Sequence, residues 1–283
     1  MAGELFSKFK LLKVLDLEDA ALEHFPKEVV KLFLLRYLSL RNTKIKSVPQ
    51  SIKKLRNLII LDLRQNFIIM LPEEIRELHK LLYLLVSFQD RDKNHAAVGA
   101  EVSPGIGHLE LLQMLSLIKA NNKMGSIVEE LGKLTELRKL GITELKKEDG
   151  KELCASIEKM EHLTSLYVKS ASVDENLDLN YVDMFPQMIK NIFLGGRLHN
   201  IPRWIPSLSG LCKIELKWSK LENSLLEALR DLPSLEELYL HDAYSGEVLE
   251  FGAEWFVDLR ILVIEQCSSL KKVAIPEPAM PKL

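Results

Sequence analysis

Leu35-Arg36-Tyr37-Leu38-Ser39-Leu40-Arg41-Asn42-Thr43 is the stretch that settles the architecture of this chain. Leu35, Leu38 and Leu40 stand at the spacing L-x-x-L-x-L, and a polar residue separates the last two. Such alternation sends Leu38 and Leu40 to one side of an extended backbone and Ser39 to the other, as in a short strand. The frame recurs at Leu12/Leu15/Leu17, Leu58/Leu61/Leu63, Leu81/Leu84/Val86, Leu112/Leu115/Leu117, Leu137/Leu140/Ile142 and Leu163/Leu166/Val168. It continues at Ile189/Ile192/Leu194, Leu211/Ile214/Leu216, Leu235/Leu238/Leu240 and Leu259/Leu262/Ile264. Successive frames start 23, 23, 23, 31, 25, 26, 26, 22, 24 and 24 residues apart, and one more step of 24 reaches Leu283. A coiled coil would need a sustained period of about 3.5, which these steps break.

Eleven frames at this period are the mark of leucine-rich repeats, and together with the outer segments between them they account for most of the 54 leucines among 283 residues. Thr43, Asn66, Ser219, Ala243 and Cys267 fall at the ninth frame position, where the chain bends inward and a small or polar residue fits. A second apolar set follows, Ile45, Val48, Ile52 and Leu55, then Ile68, Leu71, Ile75 and Leu78, with Pro49 and Pro72 opening the outer segment. The expected fold is an α/β leucine-rich-repeat solenoid of about 11 repeats. It is a curved horseshoe with parallel strands on the concave face and helices and extended turns on the convex face. One domain spans 1–283, with regular repeats over 12–86, a protruding polar loop over 87–103 and irregular repeats over 104–283. Amphipathic helices are expected from Glu148 to Met160 and from Ser224 to Leu232. Leu283 opens a twelfth frame that does not continue and neither end has a polar cap, so the chain reads as truncated or as a piece of a longer protein.

The remaining composition narrows function by exclusion. Net charge is −2, which gives no support for nucleic-acid binding. No apolar run approaches the roughly 18 residues of a membrane span, and no signal peptide is seen. Cys154, Cys212 and Cys267 are too scattered for a disulfide or zinc framework, and no Asn-x-Ser/Thr acceptor occurs, which points to a reducing, intracellular setting. No P-loop is present, and Gly105-Ile106-Gly107 reads as an outer turn. The seven histidines never pair at i, i+3 or i+4, and Cys212 has no histidine at strand spacing. Neither enzyme activity, nor a metal, nor a cofactor is expected.

Solenoids bind with the strand face, and its outward residues can be read off the frames. The residue between the last two apolar positions runs Asp16, Ser39, Asp62, Leu85, Ser116, Gly141, Tyr167, Phe193, Glu215, Tyr239, Val263. The residue after each frame runs Glu18, Arg41, Arg64, Ser87, Ile118, Thr143, Lys169, Gly195, Lys217, His241, Glu265. Two regions stand out. Asp16, Glu18, Arg41, Asp62 and Arg64 form an early charged patch, which is either a contact surface or a solvated face. Tyr167, Lys169, Phe193, Glu215, Lys217, Trp218, Tyr239 and His241 gather aromatics beside charges, the composition of interface hot spots, although such aromatics also shield neighbouring strands.

The run from Leu34 to Ile45, followed by Val48-Pro49-Gln50-Ser51-Ile52, resembles the early repeats of plant intracellular coiled-coil, nucleotide-binding, leucine-rich-repeat disease-resistance proteins. Gly105-Ile106-Gly107-His108-Leu109, Glu136 to Ile142 and Ile201-Pro202-Arg203-Trp204-Ile205-Pro206-Ser207-Leu208 follow the same course. The resemblance implies a protein-interaction module in plant defense and innate immunity. It implies that late repeats recognise a pathogen effector or a guarded host protein, and that early repeats contact the receptor's nucleotide-binding module and hold it inactive. It places the chain in the cytoplasm, or at the plasma membrane through a parent receptor. The coiled-coil and nucleotide-binding modules are not in this sequence. A constitutive intracellular signalling scaffold or a substrate adaptor stands as the alternative.

Overall fold

The computed structural model describes residues 9–89, 97–122, 125–182, 184–222 and 224–283. The polar surplus over 90–96 lies outside them. The chain divides into two compact units, Met1–Thr143 and Glu144–Leu283.

Each frame carries a strand. In the first unit these are β1 (Val14–Asp16), β2 (Tyr37–Ser39), β3 (Ile60–Asp62), β4 (Tyr83–Leu85), β5 (Met114–Lys119) and β6 (Lys139–Leu145), which runs past the boundary. They pair in parallel and in chain order, and the middle frame leucines lie opposite one another: Leu15, Leu38, Leu61, Leu84, Leu115 and Leu140. From Leu38 to Leu140 this row is buried. At about 1.5–3 kcal/mol per fully buried leucine it contributes to the cohesion between neighbours, since no repeat can cover its own apolar face.

The outer side of the regular repeats is tighter than a helix. Lys27–Lys31, Gln50–Lys54 and Glu73–Glu77 are 3-10 turns, each entered from a proline, Pro26, Pro49 or Pro72, in extended conformation. A 23-residue step leaves room for one such turn. Four-residue α1 (Val128–Leu131) follows in a longer repeat.

At the inner bend Asn66 is buried and binds two repeats. Its Nδ2 donates to Leu40 O at 2.6 Å and to Leu63 O at 3.1 Å, while Oδ1 accepts from Ile45 N at 3.2 Å and from Thr43 Oγ1 at 2.5 Å.

Two expectations fail between residues 97 and 119. Leu140 opposes Leu115, but Ile142 opposes Ile118, so β5 holds one extra residue. This bulge buries Ile118 and turns Leu117 partly outward, the reverse of the frame reading. Ser116 Oγ fills the gap in the ladder, accepting from Val86 N at 2.7 Å and donating to Val86 O at 3.0 Å. The second half of the insertion does not protrude. Ala97–Val98 pairs with Phe88–Gln89, Ala100 bridges to Ile118, and Ala100 and Val102 are buried. Thr143, read as an outward residue, is also buried.

The second unit holds β7 (Ser165–Ser170), β8 (Asn191–Gly195), β9 (Lys213–Lys217), β10 (Glu237–His241) and β11 (Ile261–Glu265), again parallel and in register. Its longer repeats admit α2 (Gly150–Ile157), behind a 3-10 turn at Lys147–Asp149, and α3 (Ser224–Leu229). Both are shorter than the amphipathic pattern suggested, but the apolar faces match: Leu153, Ile157 and Met160, then Leu225, Leu229 and Leu232, are buried. Trp204 is fully buried, stacked on Phe185 at 3.6 Å with 2° between the rings. Its Nε1 donates to Leu179 O at 2.8 Å.

Candidate protein-binding face

The strand face of the second unit is a grid of three rows. Strict parallel register aligns Tyr167, Phe193, Glu215, Tyr239 and Val263 in one row and Lys169, Gly195, Lys217, His241 and Glu265 in the next. A third row, Ser165, Asn191, Lys213, Glu237 and Ile261, lies on the other side. The frame reading missed this third row, although counting back two residues from Tyr167, Phe193 and Glu215 would have found it.

The register brings all eight late candidates onto this face or its edge, and each is partly exposed. Tyr167 stacks on Phe193 with ring centroids 4.0 Å apart and 4° between planes. Burial and the nearby Glu215 push the Tyr167 phenol up to about 12, so it stays a neutral donor. Lys213 stands over the Tyr239 ring at 4.2 Å and pairs with Glu237 at 2.9 Å. That contact raises the lysine above its ordinary range and lowers the carboxylate, and Tyr239 O–H also donates to Glu237 at 3.2 Å. His241 sits between Glu265 at 3.1 Å and Glu215 at 3.7 Å.

Trp218 occupies the eighth frame position, which the bend drives into the left-handed region. Asp19, Asn42, Gln65, Glu144, Asp242 and Gln266 take φ between +50° and +61° there, and Trp218 takes +60°. The cause is a bond to the next repeat: the Trp218 N–H donates to His241 O at 2.9 Å, as Asn42 N–H does to Arg64 O at 2.9 Å. Asn and Asp tolerate this conformation because short polar side chains bond locally, and a bulky residue does not. An indole held there is strained backbone serving a side-chain position. Trp218→Asn is therefore expected to be more stable than Trp218→Ala by about 0.5–1 kcal/mol, although alanine is the usual neutral replacement. Parallel thermal unfolding of the two variants measures this, and an alanine variant of equal or greater stability would show that the bend carries no strain.

The early patch is spent on itself. Arg64 binds Asp62 through Nε at 2.9 Å and Nη2 at 2.5 Å, and Asp62 is only 5% exposed. Desolvation makes Asp62 a support for Arg64 rather than an outward contact of its own. Arg41 reaches Glu18 at 3.4 Å and Gln65 at 3.1 Å, and Asp16 accepts the Glu18 N–H at 2.9 Å. Beside them runs an apolar row that the frame reading also missed: Val14, Tyr37, Ile60, Tyr83 and Met114.

Other features of the sequence are structural. Gly105 and Gly107 donate their N–H groups to the Glu130 carboxylate at 2.7 and 3.1 Å, which closes the outer turn. Cys154 is buried, and loss of water pushes its thiol up to about 11. Cys267 is half-exposed at the bend it was expected to fill. Among the described residues, no helix is long and apolar enough to cross a membrane.

The chain matches the family model described as leucine-rich repeat region over residues 2–283. It is 41% identical over 282 residues to disease resistance protein RPM1 of Arabidopsis thaliana, covering 98% of this chain and 30% of that protein. It is 33% identical over 141 residues to disease resistance protein PIK6-NP of Oryza sativa subsp. japonica, covering 47% of this chain and 13% of that protein. The chain thus spans under a third of the length of either relative. Among solved structures, the functional domain of InlJ from Listeria monocytogenes superposes with a TM-score of 0.61 at 15% identity, covering 98% of this chain and 63% of that one, a likeness of fold alone. The chain belongs to the leucine-rich repeat region family, and its sequence is similar to part of plant disease-resistance proteins.

Proposed function

We propose that this repeat region is the recognition and autoinhibition module of a cytoplasmic plant immune receptor. The late face reads a pathogen effector or a guarded host protein, and the early face contacts the receptor's own nucleotide-binding module. One observation carries the recognition half. Tyr167, Phe193, Trp218 and Tyr239 stand partly exposed among charged groups on one register-locked surface, with Trp218 kept there at a conformational cost. Rigid aromatics with a polar neighbourhood are what partner surfaces bury at their centres. The autoinhibitory half rests on the apolar row from Val14 to Met114 beside the Glu18–Arg41 pair.

The test uses the full receptor and a cell-death assay with and without the recognised effector. Trp218→Asn with Tyr239→Ala is expected to abolish the triggered response at unchanged protein level, since hot-spot losses run at about 2 kcal/mol or more each. Arg41→Glu with Tyr83→Ala is expected to give death without effector. A full triggered response in the first pair overturns the recognition face, and a silent second pair overturns the early contact.

A further inference from the structure

The outer layer of the second unit changes type between successive repeats. After β9 the chain forms α3, whereas after β10 it forms a strand, Val248–Glu250, that pairs in parallel with Lys272–Ala274 of the next repeat. Lys271 N and Lys272 N donate to Glu247 O at 2.8 and 3.2 Å, and Phe251 N donates to Ala274 O at 2.9 Å. The backbone groups of a strand alternate between its two edges, so Leu249 faces that partner, and Val248 and Glu250 turn theirs the other way, toward α3. A helix spends its backbone bonds along its own axis and has no ladder to offer. Val248 O accepts from the Tyr244 hydroxyl at 2.6 Å. Among the described residues, the Val248 N–H and the N–H and C=O of Glu250 have no hydrogen-bond partner. An open edge of this kind is a template for a further strand.

The edge borders a cleft of about 420 Å³ between α3 and the strand, within the roughly 300–1,000 Å³ of ligand-binding clefts. Its floor is apolar, with Leu226, Leu249 and Phe251 buried beneath it. The Trp255 indole forms a wall, packed on Gly252, where a Cβ would come within 2.3 Å of Trp255 Cε2. The rim is acidic. Glu227 on α3 and Glu250 on the strand are exposed, and neither has an ion-pair partner among the described residues. The cations nearby are engaged elsewhere. Arg230, one turn after Glu227, binds Asp231 at 3.2 Å and stands over the Trp255 ring at 5.8 Å, and Lys271 binds Glu247 at 2.7 Å. Glu250 lies opposite Ala274, and Lys272 stands one pair back, beside Val248.

We infer that this cleft takes an extended segment of a partner protein as an added strand. The segment's backbone lies on the Val248–Glu250 edge, its apolar side chains cover the Leu226 and Trp255 floor, and its basic side chains meet Glu227 and Glu250. Backbone pairing supplies the hold, and the alternation of apolar and basic residues supplies the choice of partner. The site belongs to the outer layer rather than to the strand face, so it stands or falls independently of the recognition reading above.

The probes are a labelled, amidated peptide of alternating lysine and valine and its glutamate–valine counterpart, titrated against the whole chain by fluorescence anisotropy. The lysine peptide is expected to bind and the glutamate peptide is not. Amide hydrogen exchange followed by NMR locates the binding. At saturation the Val248 and Glu250 amides should slow about tenfold or more, while Leu249, already bonded to the next strand, keeps its rate. Val248→Pro removes an edge donor that the pairing with Lys272–Ala274 does not use, so the sheet tolerates it, and it should weaken binding about tenfold. Glu227→Gln with Glu250→Gln should weaken binding about fivefold. If the proline variant melts lower, the exchange pattern of the unsubstituted chain decides. No binding at about 1 mM lysine peptide, or binding that leaves the Glu250 amide rate unchanged, overturns the site. Equal binding of the glutamate peptide overturns the basic partner. Self-association of the free chain in sedimentation, lost in Val248→Pro, would give the edge to a second copy and overturn the partner assignment.

Discussion

Alanine at Gly150 is expected to destabilise the second unit by about 3 kcal/mol, the upper end for overpacking, whereas alanine at Gly210 is expected to be nearly silent. Both glycines lie in the same unit, and what differs is what a methyl group meets. At Gly150 it would stand 2.0 Å from the backbone oxygen of Asp178, and at Gly210 the nearest atom is Gln187 O at 3.9 Å. A side chain can rotate away from such a contact and a carbonyl cannot. Nor can the strand of chain that carries it: Leu177 N donates to Arg197 O at 2.8 Å, Arg203 N donates to Asn180 Oδ1 at 3.0 Å, and Trp204 Nε1 holds Leu179 O. Urea unfolding followed by Trp fluorescence compares the two variants. Equal midpoints would mean that α2 has slack against the 177–180 segment.

Trp204→Ala is expected to cost about 3–5 kcal/mol, the range for truncating a buried aromatic. Three losses combine: the fully buried indole, its stack on Phe185, and the hydrogen bond that satisfies Leu179 O. Trp204→Phe keeps the first two in large part, so the phenylalanine variant isolates the orphaned carbonyl at about 1–3 kcal/mol. Because Gly150 and Trp204 clamp the same segment from two sides, the double variant is expected to lose less than the two single losses together. Chemical unfolding of the four proteins measures the coupling, and strict additivity would show that the two residues act on independent parts.

Much of this fold was legible because leucine spacing is a strong signal. A frame of three apolar residues fixes which side chains a strand turns inward, and ten of the eleven frames keep that alignment. The exception is Leu115-Ser116-Leu117-Ile118, where both alternations offer an apolar residue. Spacing cannot choose between Leu117 and Ile118, and the returning Gly99–Glu101 segment does. The outer side was less legible, since a 3-10 turn and one turn of α-helix make the same demand on apolar spacing. Of the late site, residue identity and row were readable, but the pairings were not. Nothing in a linear chain says that Lys169 and Lys217 lean on one indole from either side of Gly195, or that Trp218 falls at a left-handed position. The buried state of Asp62 was hidden for the same reason, because its partner is Arg64 two residues along rather than the next rung.

Asn66 has one more bearing on how such a protein comes into being. It belongs to the third repeat, but three of its hydrogen bonds, to Leu40 O and from Thr43 Oγ1 and Ile45 N, complete the bend of the second. A nascent chain leaving the ribosome therefore holds an unfinished bend until the following 23-residue step has been made. Each early repeat is sealed by its successor, so maturation proceeds like a zip whose last closed tooth always waits for the next.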